Sequence, residues 1–140
     1  MKAEEVWGAR WVNCAHPLSH QFMSIACEKE SLVVLAADLP TVEEIVQIIE
    51  DVGDHVCALK THVDMVQDFN LEDWGAVVDA ARSKRMLLFE DRKFADIGRV
   101  AKTQMGGLYD IRVWSDLVTS HSVSGPDVVD GIAEAWDEVE

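Results

Sequence analysis

The sequence predicts a parallel α/β domain of four βα units preceded by a helical segment, and three observations carry that prediction. Short apolar runs of strand character alternate with amphipathic stretches of helical period. The connections between them are short and marked by caps and turns, with no low-complexity linker. Each apolar run ends in charged or polar residues, so four strand ends offer their side chains to one rim.

Residues 1–30 form the N-terminal helical segment, in which Trp7, Trp11, Phe22, Met23 and Ile25 are mixed with polar positions. His16-Pro17 breaks it, and Leu18 to Glu28 reads as a short amphipathic helix. Residues 31–140 hold the four βα units. The first strand, Ser31 to Leu39, is continuously apolar, as expected when both faces are buried, and ends at Asp38. Pro40 and Thr41 open a helix with a capping box from Thr41 to Glu44, an apolar stripe of Ile45, Ile48 and Ile49, and a stop at Gly53.

Val56 to His62 is the second strand, with Ala58, Lys60 and His62 on one face and Cys57, Leu59 and Thr61 on the other. The next helix begins near Asn70 and carries Leu71, Trp74, Val78 and Ala81 inward. Met86 to Asp91 is the third strand, and Ile97 to Met105 a helix closed by Gly106-Gly107. Trp114 to His121 is a weaker fourth strand. Pro126 starts a last helix whose buried side is Val128, Val129, Ile132, Ala133 and Trp136.

The totals narrow the function. A chain of 140 residues makes one ordinary domain with a real core. Its 12 Lys and Arg against 26 Asp and Glu leave a formal charge of −14, which repels nucleic acid and anionic membranes, and no basic cluster offsets it. Cys14, Cys27 and Cys57 are odd in number and widely spaced, with no CxxC pair, as expected of free thiols in a reducing compartment. Neither a signal peptide nor a membrane span is apparent, so the expectation is a soluble cytoplasmic protein.

The most informative stretch is Leu87 to Gly98, LLFEDRKFADIG. Strand parity points Asp91 and Lys93 the same way as Leu87 and Phe89, while Asp96 lies beyond the strand. Charged residues gather likewise at the other strand ends: Asp38 on the first, Lys60 and His62 on the second, His121 on the fourth.

The run FEDRKFADIG (Phe89 to Gly98), the run LKTHVD (Leu59 to Asp64) followed by Asp68-Phe69, and the strand ending at Asp38 closely resemble the orotidine 5′-monophosphate decarboxylase family in its eukaryote-like branch. The similarity runs from about Leu18 to about Ile132 and includes WSDLVTSHSVSGPDVVDGI. It implies the first half of a TIM (β/α)8 barrel and the cofactor-free conversion of OMP to UMP and CO2 in pyrimidine biosynthesis. By resemblance, Asp38 and Lys60 hold the ribose hydroxyls and Lys93 delivers a proton to carbon 6 of the pyrimidine. Asp91 sits against the departing carboxylate, and Asp96 reaches into a neighbouring subunit's site.

The residues support such a network on their own terms. Lys60, Asp91, Lys93 and Asp96 sum to zero charge, so four ions can share a semi-buried site that would reject any one alone. A carbanion with no cofactor to delocalise it needs fixed cations, and an ammonium at the carbon also supplies the proton. Two departures from the family stand out. Four units are half of the eight a barrel needs, and the other half carries the family's phosphate-gripping Arg and Gln. Val100 stands where relatives place a Thr that assists Asp96 across the subunit boundary.

Unpaired edges on the first and fourth strands invite another chain. The expected partner is a separate C-terminal half-barrel chain, with the completed barrels then dimerising; the rival is a symmetric pairing of two copies. Two alternative functions are a non-catalytic half-barrel assembly protein and a metal-dependent phosphosugar lyase or aldolase. The latter needs an extra carboxylate ligand, and Glu90 points away from Asp91. His16, His20 and His55 lack metal-ligand spacing, and no metal or organic cofactor is called for. His62 and His121 read as hydrogen-bonded structural histidines, the five Trp as core, and Ser124-Gly125-Pro126 as a turn and cap.

Overall fold

The alternation of strand and helix read from the sequence is realised as one parallel sheet covered on its outer face by helices. A computed structural model describes residues 2–139. Three helices come first: α1 (Ala3–Trp7), α2 (Ala9–Asn13) and α3 (Pro17–Lys29). Then follow β1 (Val34–Ala36), α4 (Val42–Val52), β2 (Ala58–Thr61), α5 (Leu71–Ser83), β3 (Leu87–Phe94), α6 (Gly98–Met105), β4 (Leu117–Ser120) and α7 (Asp127–Asp137). The strands pair in chain order, β1-β2-β3-β4, all parallel, each joined to the next by a helical crossover. Among the described residues no helix is long and apolar enough to cross a membrane.

Local chemistry sets the helix ends. Thr41 Oγ1 accepts from the Glu44 amide at 3.2 Å and donates to the Glu44 carboxylate at 3.0 Å, and Asn70 Oδ1 accepts from the Asp73 amide at 2.8 Å. On the outer face, Leu59 and Leu88 pack with Ile45, Ile49, Trp74 and Val77, all fully buried. Each such side chain contributes about 1.5–3 kcal/mol.

α7 meets α6 at Gly131, where an added Cβ would collide with the Gly98 backbone. That contact sets the phase of α7, so Val128, Gly131, Ile132 and Ala135 face inward. Val129 and Ala133, expected on the buried side, face solvent instead. Leu71 is similarly exposed, because it opens α5 and Val77 takes the inward place together with Trp74 and Ala81.

The inner face differs. α3 lies across the start of β2 and β3, packing Ile25 and Ala26 on Cys57, Ala58 and Leu87. The ammonium of Lys29 fastens it there, donating to the carbonyls of Gly53 (2.7 Å), Val56 (2.6 Å) and Lys84 (2.6 Å). Above α3 the face is open, with an apolar groove lined by Trp7, Phe22, Val34, Phe89 and Leu117.

The first strand corrects the sequence reading. Only three of the nine expected residues join the sheet, and Leu32 (64%) and Val33 (54%) are exposed rather than buried on both faces. The reason is that β1 has one covered face: Leu35 packs on the outer core while Val34 and Ala36 point to the other face and are exposed, and as an edge strand β1 also has a neighbour on one side alone. β3 runs longer than expected, to Phe94, through an irregularity in its pairing with β4 between Glu90 and Phe94.

Candidate active site

The parallel register aligns Ala36, Lys60, Phe89 and Leu117 across the four strands. Two residues further on, the same side of each strand carries Asp38, His62, Asp91 and Thr119. These four join into a continuous polar row. Asp38 Oδ1 lies 2.7 Å from His62 Nδ1, His62 Nε2 lies 3.1 Å from Asp91 Oδ2, and Thr119 Oγ1 donates to Asp91 Oδ1 at 2.8 Å.

Two ammonium groups close on the centre of that row. Lys60 Nζ reaches Asp91 Oδ2 at 3.1 Å, and Lys93 Nζ reaches the same oxygen at 2.6 Å. The Asp91 side chain is 13% exposed and that of Lys93 52%, so the carboxylate is sunk in the row while the ammonium stands open to a ligand. Burial works to raise the Asp91 carboxyl, but hydrogen bonds from Lys93, Thr119 and Lys60 and the Lys60 charge outweigh it and hold the group well below the usual carboxylate range. Asp91 is therefore an anion at any physiological pH.

Lys93 reaches this place through an unusual backbone. Its φ is +54°, in the left-handed region, within the irregular stretch of β3. Such a conformation costs a non-glycine residue of order 1–3 kcal/mol and persists only where its surroundings enforce it.

The sequence-predicted residues thus divide. Lys60, Asp91 and Lys93 meet as expected. Asp38 joins them through His62 rather than by touching Lys60. Asp96 stands apart: it lies exposed in the loop before α6, and its Oδ1 accepts from the Ile97 amide at 2.7 Å. Of the four ions expected to balance, three meet within this chain, two ammoniums on one carboxylate, and His62 rather than Asp96 is the further neighbour of Asp91. Val100, on the first turn of α6, is partly buried.

Three site residues escaped the sequence reading. His62, expected to be a structural histidine, bridges two carboxylates in the middle of the row. Its parity with Lys60 was the available signal. Thr119 clamps Asp91 from the last strand. Glu90 lies behind the site, fully buried on the opposite face of β3, where Thr61 Oγ1 donates to it at 2.6 Å and the Val63 amide at 3.1 Å. Burial pushes its carboxyl up, against those hydrogen bonds. It braces both residues that flank His62. Among the described residues no group of three or more His, Cys, Asp and Glu is arranged to hold a metal ion.

A cation-bearing row of this kind at the C-terminal strand ends can bind hydroxyls and stabilise a developing anion next to an acid. Known proteins resemble the chain that carries this row. Residues 31–140 match the family model of the orotidine 5′-phosphate decarboxylase / HUMPS family. The orotidine 5′-phosphate decarboxylase of Candida boidinii is 39% identical over 127 residues, covering 88% of this chain and 46% of the relative. The uridine 5′-monophosphate synthase of Bos taurus is 39% identical over 120 residues, covering 85% of this chain and 25% of the relative. The crystal structure of orotidine 5′-monophosphate decarboxylase from Methanocaldococcus jannaschii superposes with a TM-score of 0.62 at 21% identity, covering 76% of this chain and 50% of that one. The last is a likeness of fold, and it identifies the four-stranded sheet as part of a TIM barrel.

The chain spans about half the length of the curated decarboxylases it matches. With the fold, the matched residues 31–140 and the relatives in agreement, this chain belongs to the orotidine 5′-phosphate decarboxylase / HUMPS family.

Proposed function

We propose that this chain is the N-terminal, lysine-bearing part of an orotidine 5′-monophosphate decarboxylase that acts without a cofactor in the cytoplasm. The observation that carries the reading is the convergence of Lys60 and Lys93 on an ionised, largely buried Asp91. In the reaction the bond from carbon 6 to the carboxylate breaks, CO2 leaves, and the electron pair stays on carbon 6. The Lys93 ammonium stabilises that charge and gives its proton to the carbon, yielding UMP; the neutral amine then regains a proton from water. Asp91 sits beside the departing carboxylate and keeps Lys93 charged and aimed. Asp38 and Lys60 take the ribose hydroxyls.

A separate C-terminal half-barrel chain completes the enzyme in this reading, pairing with the free edges of β1 and β4 and covering the apolar groove around Phe89 and Leu117. The completed barrels dimerise, which gives the exposed Asp96 a neighbouring site to enter. The three free cysteines suit a reducing compartment.

The test is to mix the purified chain with OMP and follow the loss of its absorbance, alone and after adding a C-terminal half-barrel polypeptide. UMP formation only in the mixture is the expected result. Turnover by the lone chain removes the need for a partner half, and no turnover in a mixture shown to be assembled by native mass spectrometry overturns the decarboxylase reading.

A further inference from the structure

The geometry points to Thr119 as the positioning residue that fixes the Asp91 carboxylate and the Lys93 backbone through one hydroxyl, a role that rests on reading Lys93 as the proton donor. The two oxygens of Asp91 are used unequally. Oδ2 meets three nitrogens, from Lys60, His62 and Lys93, whereas among the described residues Oδ1 accepts only from Thr119, at 2.8 Å. The torsion that turns a carboxylate is soft, and donors gathered on one oxygen leave the group free to twist about that side. A tether on the other oxygen sets its plane.

The same hydroxyl serves Lys93. Where the β3–β4 register slips between Glu90 and Phe94, the Lys93 amide donates to Thr119 Oγ1 at 2.8 Å. A hydroxyl has one proton to give and lone pairs to receive with, and both are in use here: the proton goes to Asp91, a lone pair to the Lys93 amide. The contact thus holds the left-handed backbone at Lys93, φ +54°, and the rotation of its counter-ion at once. The Lys93 amide bond is exposed, whereas the Thr119–Asp91 bond is partly buried, so losing the hydroxyl costs most on the carboxylate side. Lys93 Nζ lies at 2.6 Å from Asp91 Oδ2, and that distance depends on both parts staying in place.

Thr119→Val keeps the branched shape and removes the hydroxyl; Thr119→Ser keeps the hydroxyl. Two readouts use the chain by itself: hydrogen exchange at the Lys93 amide and the carbon-13 titration of the Asp91 carboxyl, both by NMR. In T119V the amide exchanges about tenfold faster and the Asp91 midpoint moves up, and T119S returns both to wild type. The third readout is OMP turnover in the chain completed by a C-terminal half. There T119V lowers kcat by about ten- to a hundredfold with KM within about twofold, and T119S restores kcat.

Unchanged exchange and titration in T119V, a loss expressed in KM alone, or failure of T119S to rescue each overturn the clamp. If Val does not fold at this position, Thr119→Ala takes its place with the same readouts. A wild-type assembly that never turns over OMP, yet whose NMR signals respond as described, sinks the decarboxylase reading and leaves the clamp standing.

Discussion

Two lysines at opposite ends of one sheet show how partners divide structure from chemistry. Lys29, beneath the N-terminal ends of β2 and β3, is held by three backbone carbonyls at 2.6 to 2.7 Å. Carbonyl dipoles satisfy an ammonium without neutralising it, so burial lowers the pKa of Lys29, although the nearby Cys57 and Asp54 oppose the shift. Lys93, at the other end, shares an ionised carboxylate with Lys60 and His62 and keeps half its side-chain surface open. One amine has all its hydrogens committed to the fold. The other is charged, aimed and accessible, which is what a proton donor needs.

Breaking the anion at the active end should have the largest effect. Asp91→Asn leaves Lys60 and Lys93 beside each other without a counter-charge, and turnover of OMP in the completed enzyme should fall by on the order of a hundredfold to a thousandfold. Steady-state kinetics check this, with circular dichroism confirming the fold. At the other end, Lys29→Met strands three carbonyls. Stability should drop by about 2 kcal/mol, read from urea unfolding, while turnover stays within about twofold of wild type. A K29M enzyme of normal stability and impaired turnover would reverse the assignment of the two lysines.

The smallest effect separates the two neighbouring carboxylates on β3 by pH. Burial raises the Glu90 pKa in the folded chain, against the hydrogen bonds from Thr61 and Val63, so the fold holds that proton more tightly than the unfolded chain does. Its contribution to stability is greatest below the ordinary value of 4.5 and declines as pH rises through it toward the folded value. Asp91 has the opposite sign. Its folded pKa is depressed, so its stabilisation is present above the ordinary value of 3.8 and is lost as pH falls toward the folded value. Urea unfolding across mildly acid pH should show Glu90→Gln flattening the decline on the upper limb and leaving the acid limb unchanged. Flattening of the acid limb by E90Q would contradict the assignment.

Much of this arrangement was legible in the sequence, and the rest was hidden for physical reasons. Period-two parity put Lys60 and His62 on one face and Asp91 beside Lys93, and the register then carried all four to a single rim. The Thr41 cap marked the start of α4 because a cap is a contact three residues long, although Glu44 bonds the Thr41 hydroxyl rather than the Thr41 amide that a full box uses. The contacts that escaped are distant in sequence. Lys29 meets residues 24, 27 and 55 positions away, and Thr119 meets Asp91 across 28. Nothing in a local pattern announces them.

Glu90 escaped for a different reason. A charged residue type argues for exposure, yet this one is fully buried because Thr61 and the Val63 amide receive it. The first strand erred in the other direction: continuous apolarity argued for two covered faces, while β1 packs Leu35 on the core and leaves Val34 and Ala36 exposed on its other face. Apolar composition records what a surface can be buried against, and the open face around Val34, Phe89 and Leu117 is where that record and the described fold part.

The central claim, that the Lys93 ammonium held on Asp91 protonates the carbon left by CO2, is met most directly by one comparison. The wild-type chain and Lys93→Met are each assembled with a C-terminal half-barrel polypeptide and given OMP under identical conditions. The account predicts UMP from the wild-type assembly and a rate lower by about a thousandfold or more from K93M of equal stability. Equal rates of UMP formation from the two assemblies would contradict it.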